Sequence, residues 1–265
     1  RITELSEFLL KAGASRENVK YFVETQSVNA LSIKQETWLR LVETGLHNVF
    51  FGIERGDEAG KKRIGKRSSI EDDKNALTYL RGFGINVTYG FIMLDPWTVE
   101  EEVRTNILTL MKIGDADLGK FFSEMILNPG TRAYGRADKE GLIKNAIHPE
   151  ESWEMYSYPL PIRLENYRSI GYEFLVNQEA HKFLERNFGI YERVKALIMA
   201  GKGEVALPYR KMMDEMNARI VSKVLDCVSS DEIQSQEQLS LLSLRVIEEN
   251  NAEMEKINYA LNNYV

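Results

Sequence analysis

The sequence predicts an α/β protein: a partial (βα) barrel with parallel strands, followed by an α-helical C-terminal region. Two observations carry the prediction. From Arg1 to about Leu142, segments of helical and strand period alternate, with the strands recurring about every 30 residues, as repeated βα units require. Beyond about Asn145 the alternation stops and helical patterning remains, apart from one aromatic-rich connector.

An amphipathic helix opens the chain at Ile2, Leu5, Phe8 and Leu9. Val19 to Val23 reads as a strand running into the polar Glu24, Thr25, Gln26 and Ser27. The next helix, Ile33 to Thr44, repeats apolar residues at Ile33, Trp38, Leu41 and Val42 and stops at Gly45, a good C-cap. Asn48 to Ile53 is a short apolar run of the kind buried on both faces of a parallel sheet. Ser69 starts a helix with Asp72 three residues on and the stripe Ala76, Leu77, Leu80; Gly82 and Gly84 end it.

Ile85 to Leu94 is the third strand, and Asp95-Pro96 breaks it. Thr98 caps a helix from Val99 to Ile113 with Glu101 in the capping-box position. Leu118 to Leu127 reads as a fourth strand, leading into Asn128-Pro129-Gly130-Thr131. Four strands make an incomplete TIM-like barrel or half of a doubly wound sheet, since a closed barrel of eight needs more chain. The expected division is 1–145 for the partial barrel and 146–265 for the helical extension.

The connector Trp153, Tyr156, Tyr158, Pro159 and Pro161 carries too many rings for a solvated linker and is expected to pack over the sheet. Helices follow at about Ile162 to Phe188, Tyr191 to Met199, Pro208 to Val228 and Ser235 to Leu261. The last spaces Leu242, Val246, Met254, Ile257 and Leu261 like a coiled-coil seam interrupted by Asn250. Self-association and packing within the chain both account for such a seam.

A net charge of −6 argues against the broad basic face that nucleic-acid binding needs. The densest basic run, Lys61, Lys62, Arg63, Lys66 and Arg67, reads as a solvated helix face. No apolar run reaches the ~18 residues that span a bilayer and no signal peptide opens the chain, so the expected location is cytoplasmic. The single cysteine, Cys227, reads as a small apolar residue on a helix face and excludes an all-cysteine cluster built from this chain alone. The chain starts at Arg1 with a helix already under way, which is expected of an excised C-terminal fragment.

In a parallel sheet, functional groups collect at the carboxyl ends of the strands. Those ends here present Glu24 and Gln26, then Glu54 and Arg55, then Leu94 and Asp95, then Asn128, while Gly90 lets a ligand approach the third strand closely. No histidine accompanies a serine or cysteine, so nothing supports a triad, and no residue is assignable as catalytic. His47, His148 and His181 are too scattered for a metal site, and none is expected. Carboxylates and amides at strand ends suit the hydroxyls and ammonium of a polar cofactor.

Three segments carry a family resemblance. Phe51-Gly52-Ile53-Glu54-Arg55-Gly56-Asp57-Glu58, followed by Lys66, resembles the fourth-strand segment of the radical S-adenosylmethionine (SAM) superfamily. Asn86 to Thr98, with Gly90-Phe91-Ile92 and Asp95-Pro96, resembles the fifth, and Leu127 to Tyr134, with Pro129-Gly130-Thr131, the segment after the sixth. Their order and spacing make the likeness specific over about Arg1 to Gly141. It implies that Glu24 or Gln26 together with Glu54 holds the ribose and methionyl parts of SAM, that Lys66 lies near its carboxylate, and that Gly90 and Ile92 line the adenosine. The style also resembles the subgroup with a cobalamin-binding domain before the barrel.

The superfamily's three cluster-binding cysteines and its glycine-rich second-strand segment are absent from this sequence. The resemblance therefore implies the C-terminal part of an enzyme that, intact, cleaves SAM at a [4Fe-4S] cluster for radical chemistry on a small-molecule or peptide substrate. Cobalamin-dependent methyl transfer is one such reaction. This chain alone is expected to hold neither cluster nor SAM well. The alternative is a cluster-less binding or scaffold module of the same fold. A barrel aldolase would want a strand-end lysine, and none of the four strands ends in one.

Overall fold

The computed structural model describes residues 2–114, 116–144, 157–230, 233 and 235–264. After helix α1 (Ile2–Lys11) come strand β1 (Tyr21–Thr25), helices α2 (Ser27–Ser32) and α3 (Gln35–Glu43), and strand β2 (Leu46–Glu54). Helices α4 (Glu58–Arg63) and α5 (Ile70–Arg81) lead to strand β3 (Asn86–Phe91), followed by α6 (Glu100–Ile113), α7 (Leu118–Phe121) and α8 (Arg132–Lys139). The remaining described elements are helices α9 (Ile162–Val176), α10 (Gln178–Met199), α11 (Gly203–Ser229) and α12 (Gln236–Asn262).

The strands form a parallel sheet in the order β1-β2-β3, with helices crossing between them, as a partial βα barrel requires. Val49, Phe51 and Ile53 of β2 and Val87 and Tyr89 of β3 are buried, with α3 packed on β2 and α5 on β3. Trp38 anchors this layer, its indole N–H donating to the carbonyl of Ala30 at 3.2 Å. Gly45 is fixed by sterics: its φ is +105° and a Cβ there would lie 2.0 Å from the carbonyl oxygen of Val19.

The expected fourth strand, Leu118 to Leu127, is corrected. Leu118 to Phe121 is a one-turn helix capped by Asp117, and past it an isolated parallel bridge joins Glu124 to Leu94. The apolar run is buried at Leu118, Phe121, Met125 and Leu127, so burial without alternation gave a strand-like pattern where the chain is irregular. The N-terminus of α6 is also shifted by one. Val99 is the N-cap, Glu102 rather than Glu101 accepts from its N–H, and the Thr98 hydroxyl instead accepts from Asp95 N at 2.8 Å.

Two helix boundaries in the C-terminal region differ as well. The break falls at Asn177, whose side chain accepts from Glu179 N and Ala180 N and starts α10, while Gly189 lies inside that helix. Helix α11 begins at Gly203, five residues before Pro208, which it absorbs. The seam of α12 is consumed within the chain: Leu242, Val246, Met254, Ile257 and Leu261 are buried, and α12 packs on α9, α10 and α11. Of the connector, Trp153 and Tyr156 lie outside the described residues, whereas Tyr158 is buried and its hydroxyl donates to the carbonyl of Leu94 at 2.9 Å.

Buried polar bonds lock the helices to the barrel. Asp214 of α11 accepts from Ala116 N at 2.7 Å and from the Tyr191 hydroxyl at 2.7 Å. Asn217 donates to the Ala116 carbonyl at 2.9 Å, and Tyr167 of α9 donates to that of Phe121 at 2.7 Å. A loop whose backbone groups are satisfied by side chains of three helices is held in one position. Among the described residues no helix is long and apolar enough to cross a membrane.

Candidate functional site

The period of two gives the sheet a second face, opposite the helices. Its rows follow from the register: Phe22, Asn48 and Asn86; then Glu24, Phe50 and Thr88; then Gly52 and Gly90; then Glu54 at the carboxyl end. These positions are half-buried on β2 and β3 and exposed at Phe22 and Glu24. Asn48 donates to the Thr88 hydroxyl at 3.1 Å, which tightens the row nearest the amino end.

Glu54 interrupts the alternation. Its φ is +67°, the one positive φ at a non-glycine among the described residues, and Arg55 N donates across it to the Ile53 carbonyl at 2.8 Å. This γ-turn coincides with the register shift between Gly52 and Glu54, and such backbone strain persists only where the surroundings over-determine it. The Glu54 carbonyl is one restraint, accepting from Ile92 N at 2.6 Å.

From the turn the two adjacent charges run in opposite directions. Glu54 folds back over the glycine row and pairs with Lys66 at 3.3 Å, both side chains about a quarter exposed or less. A Cβ on Gly52 would lie 2.6 Å from Glu54 Oε1 and 2.7 Å from Lys66 Nζ, so the pair occupies space that only glycine leaves. At Gly90 a Cβ would meet Phe50 Cζ at 3.1 Å and Glu54 Oε2 at 3.6 Å. The two glycines are register partners, and together they form a bare backbone floor under the carboxylate.

Lys66 reaches this position because α4 is capped at both ends. The Asp57 side chain accepts from Gly60 N at its start. At its end Gly65, with φ +78°, and Lys66 donate to the carbonyls of Lys62 and Lys61, the double bond of a Schellman turn. Lys61 itself is buried and paired with Asp73, which also accepts from Ser27 at 2.6 Å.

Arg55 turns the other way and is fully buried. It donates to Asp57 Oδ2 at 2.9 Å, Glu102 Oε2 at 3.0 Å, the Met93 carbonyl at 3.0 Å and the Thr98 hydroxyl at 3.1 Å. Arg63 closes the network onto Asp95 and Glu102. Burial opposes the charge on Arg63, but its bonds to Glu102 and Asp95 outweigh that and hold its pKa above the ordinary value. The reading of residues 61–67 as a solvated basic face is thereby corrected. Lys61, Arg63 and Lys66 are all ion-paired and at least partly buried, leaving Lys62 and Arg67 exposed.

Of the expected site residues, Glu54, Lys66 and Gly90 come together, and Ile92 joins them through its backbone bond to Glu54. Glu24 and Gln26 lie exposed on and just past the edge strand, two rows and one row short of Glu54. Gly52 was not among the expected site residues; the spacing Phe50, Gly52, Glu54 is the signal that places it on the same face. The buried Arg55 network was not legible, because nothing local announces a γ-turn at a glutamate.

A second polar cluster stands where the sheet ends. Glu124, bridged to Leu94, pairs with Arg168 of α9 at 3.2 Å and accepts from the Tyr172 hydroxyl at 2.5 Å. Burial, then the bond to Glu124, pushes the Tyr172 pKa up to about 12. Among the described residues no group of three His, Cys, Asp or Glu side chains is arranged to hold a metal ion, and Cys227 sits half-buried on α11.

No family model matches the chain. It is 26% identical over 176 residues to an uncharacterized methyltransferase of Pyrococcus horikoshii, covering 66% of this chain and 35% of that protein. Among solved structures it is similar to OxsB, a cobalamin-dependent S-adenosylmethionine radical enzyme with aqua-cobalamin and S-adenosylmethionine bound. The TM-score is 0.56 at 16% identity, covering 100% of this chain and 48% of that one. This chain has the radical SAM fold. It spans about half the length of OxsB and about a third of the methyltransferase.

Proposed function

We propose that the glycine-floored end of the sheet is a SAM-binding half-site, and that the chain serves in a radical SAM enzyme of the cobalamin-dependent, methyl-transferring kind. The observation that carries the reading is the Glu54–Lys66 pair lying over Gly52 and Gly90 at the carboxyl end of parallel strands. The similarity to a SAM-binding, cobalamin-dependent enzyme and to a methyltransferase supports it.

The residues fit SAM. Its α-amino acid end carries an ammonium and a carboxylate close together, and a Glu–Lys pair at 3.3 Å offers each its opposite charge. Glu54 accepts from the ammonium or a ribose hydroxyl, Lys66 donates to the carboxylate, and Gly90 and Ile92 line the adenosine. Glu24 or Gln26, free on the edge strand, meets the remaining polar edge. When bound, SAM supplies a sulfonium whose reductive cleavage starts radical chemistry.

The residues do not fit a [4Fe-4S] cluster, because one cysteine on α11 cannot replace three thiolates. No step is derived through it. In this reading the thiolates and the cobalamin site are supplied by residues outside this sequence, and the helical region selects a small-molecule or peptide substrate. The single cysteine also favours a second reading, in which the same face binds SAM or a related nucleoside without cleaving it.

Saturation-transfer NMR on this chain with SAM tests the half-site. Weak transfer to the adenosine and methionyl protons is expected, with Glu54→Ala weakening it about tenfold, equivalent to ~1.4 kcal/mol. Equal transfer in the variant, with its fold intact by circular dichroism, would return Glu54 to a structural role.

A further inference from the structure

Arg168 of α9 is a guanidinium only 11% exposed, and one of its edges is unused. Nη1 donates to the Tyr158 carbonyl at 3.0 Å and to Glu165 Oε2 at 3.4 Å, and the group lies over the Tyr158 ring, 4.6 Å from its centroid. Nε and Nη2, the other edge, are buried and have no hydrogen-bond partner among the described residues. Nε stands 3.2 Å from Glu124 Oε2, but without the alignment that a hydrogen bond needs, while the Tyr172 hydroxyl holds Glu124 Oε1 at 2.5 Å. A buried charged donor without an acceptor is costly, and an acceptor brought to it is bound correspondingly well.

Glu124, Arg168 and Tyr172 together line a cleft of about 230 Å³ between α7, α9 and α10. Phe122, Phe174, Leu175 and Leu184 make the rest of its lining apolar. Phe122 is fixed in place: a Cβ on Gly171 would lie 2.9 Å from its own, and it stacks on Phe174 with ring centroids 5.3 Å apart. A flat wall of that kind suits a ring. Tyr172 is 45% exposed and Leu175 56%, so these two form the rim.

Charge and hydrogen bonding select the polar group. Arg168 already faces two carboxylates, Glu124 and Glu165, so a third anion is repelled and the acceptor brought to the open edge is a neutral oxygen. An ammonium would leave that edge unpaired. Glu124, beside it, only accepts and calls for an N–H. A carbonyl and an N–H side by side make a carboxamide. We propose that this cleft binds an aromatic carboxamide, its ring against Phe122 and Phe174, its carbonyl on Nε and Nη2 of Arg168, and its N–H on Glu124 in place of the Tyr172 hydroxyl. Tyr172 is the group that gives way, since a half-exposed phenol turns out to solvent with little loss of burial and opens the carboxylate and the guanidinium edge to the cleft. The cleft shares no residue with the Glu54–Lys66 site, so the proposal stands apart from the SAM reading.

Saturation-transfer titrations of this chain with benzamide, benzoate, benzylamine and N,N-dimethylbenzamide test the proposal. Benzamide is expected to bind saturably, and the two charged analogues at least about tenfold more weakly. N,N-dimethylbenzamide, which keeps the carbonyl and lacks the N–H, should also lose about tenfold. Glu124→Gln should weaken benzamide about tenfold, whereas Tyr172→Phe, which removes the competing hydroxyl at an exposed position, should tighten it about threefold. A merely structural role for the cluster predicts no tightening. Both variants should keep the wild-type circular dichroism spectrum, and should Glu124→Gln not fold, Tyr172→Phe carries the test alone. The proposal is overturned by the absence of saturable benzamide binding, by equal affinity for any of the three analogues, or by unchanged or weaker benzamide binding in folded Tyr172→Phe.

Discussion

Replacing Arg55 by methionine removes one of two guanidiniums facing three carboxylates, those of Asp57, Asp95 and Glu102. The side chains of Asp57, Asp95 and Glu102 are 7%, 0% and 13% exposed, so water cannot take the place of the lost donors. The Thr98 hydroxyl and the Met93 carbonyl lose a partner in the same step. Breaking a buried ion pair from one side costs about 3–5 kcal/mol, because the partner's charge stays buried and uncompensated. In a chain of this size each kcal/mol moves the melting temperature by about 2–4 °C, so the expected fall is on the order of 10 °C. Methionine keeps the aliphatic volume, which separates charge loss from cavity formation. Arg55→Lys should fall between, since it restores a charge without the fork. Thermal melts followed by circular dichroism decide the matter. A fall below about 2 °C for Arg55→Met would mean that Arg63 alone compensates the carboxylates, and the network would lose its structural role.

The remaining predictions use the same logic. Gly52→Ala forces aside only the ends of two flexible side chains, and a partly exposed pair contributes ~0.2–1 kcal/mol, so its melting temperature should stay within about 4 °C of wild type. SAM saturation transfer should nevertheless fall as in Glu54→Ala; unchanged transfer would show that the floor is not used. Burial holds the phenols of Tyr158 and Tyr167 above their ordinary pKa of 10.0. A folded-state pKa above the unfolded one means that this stability is complete below pH 10 and is lost as pH rises through the folded values, with Tyr172 losing its share near pH 12. Phenolate absorbance should show Tyr158 and Tyr167 ionising only together with loss of the circular dichroism signal. Ionisation of all 12 tyrosines in one step near pH 10, with the fold intact, would contradict it.

Where a periodic pattern had one physical cause, it was legible. The strand ending at Glu54 and the cap at Ser69 with Asp72 both follow from local rules, and both stand in the structure. Leu118 to Leu127 misled because burial on all sides looks the same in a strand and in an irregular segment. The basic run misled for a different reason. Lys61, Arg63 and Lys66 are neighbours in sequence, but their partners are Asp73, Asp95 with Glu102, and Glu54, none closer than 12 residues away. Charge pairing at that distance is set by tertiary structure, and composition alone reads such a run as solvated.

The γ-turn at Glu54 joins these two charge systems. Without a turn, an extended strand would put Glu54 and Arg55 on opposite faces with the register of β2 and β3 unbroken. The register shift shortens β2 relative to β3 at that point and brings the Glu54 carbonyl onto Ile92 N, while Arg55 passes behind the strand ends to reach Met93, Thr98 and Glu102. The buried guanidinium is held by six oxygen partners, counting Asp57, the Ile92 carbonyl and the weaker contact to Asp95, so the strain at Glu54 is maintained chiefly from the Arg55 side. Glu54 is thereby left with one lysine, a glycine floor and partial exposure. A carboxylate positioned chiefly by its neighbour's bonds, with Lys66 paired at one of its oxygens, keeps the rest of its acceptor lone pairs for a ligand. On this argument Arg55→Lys should weaken SAM transfer even at temperatures well below its lowered melting temperature, because the turn loosens before the fold does.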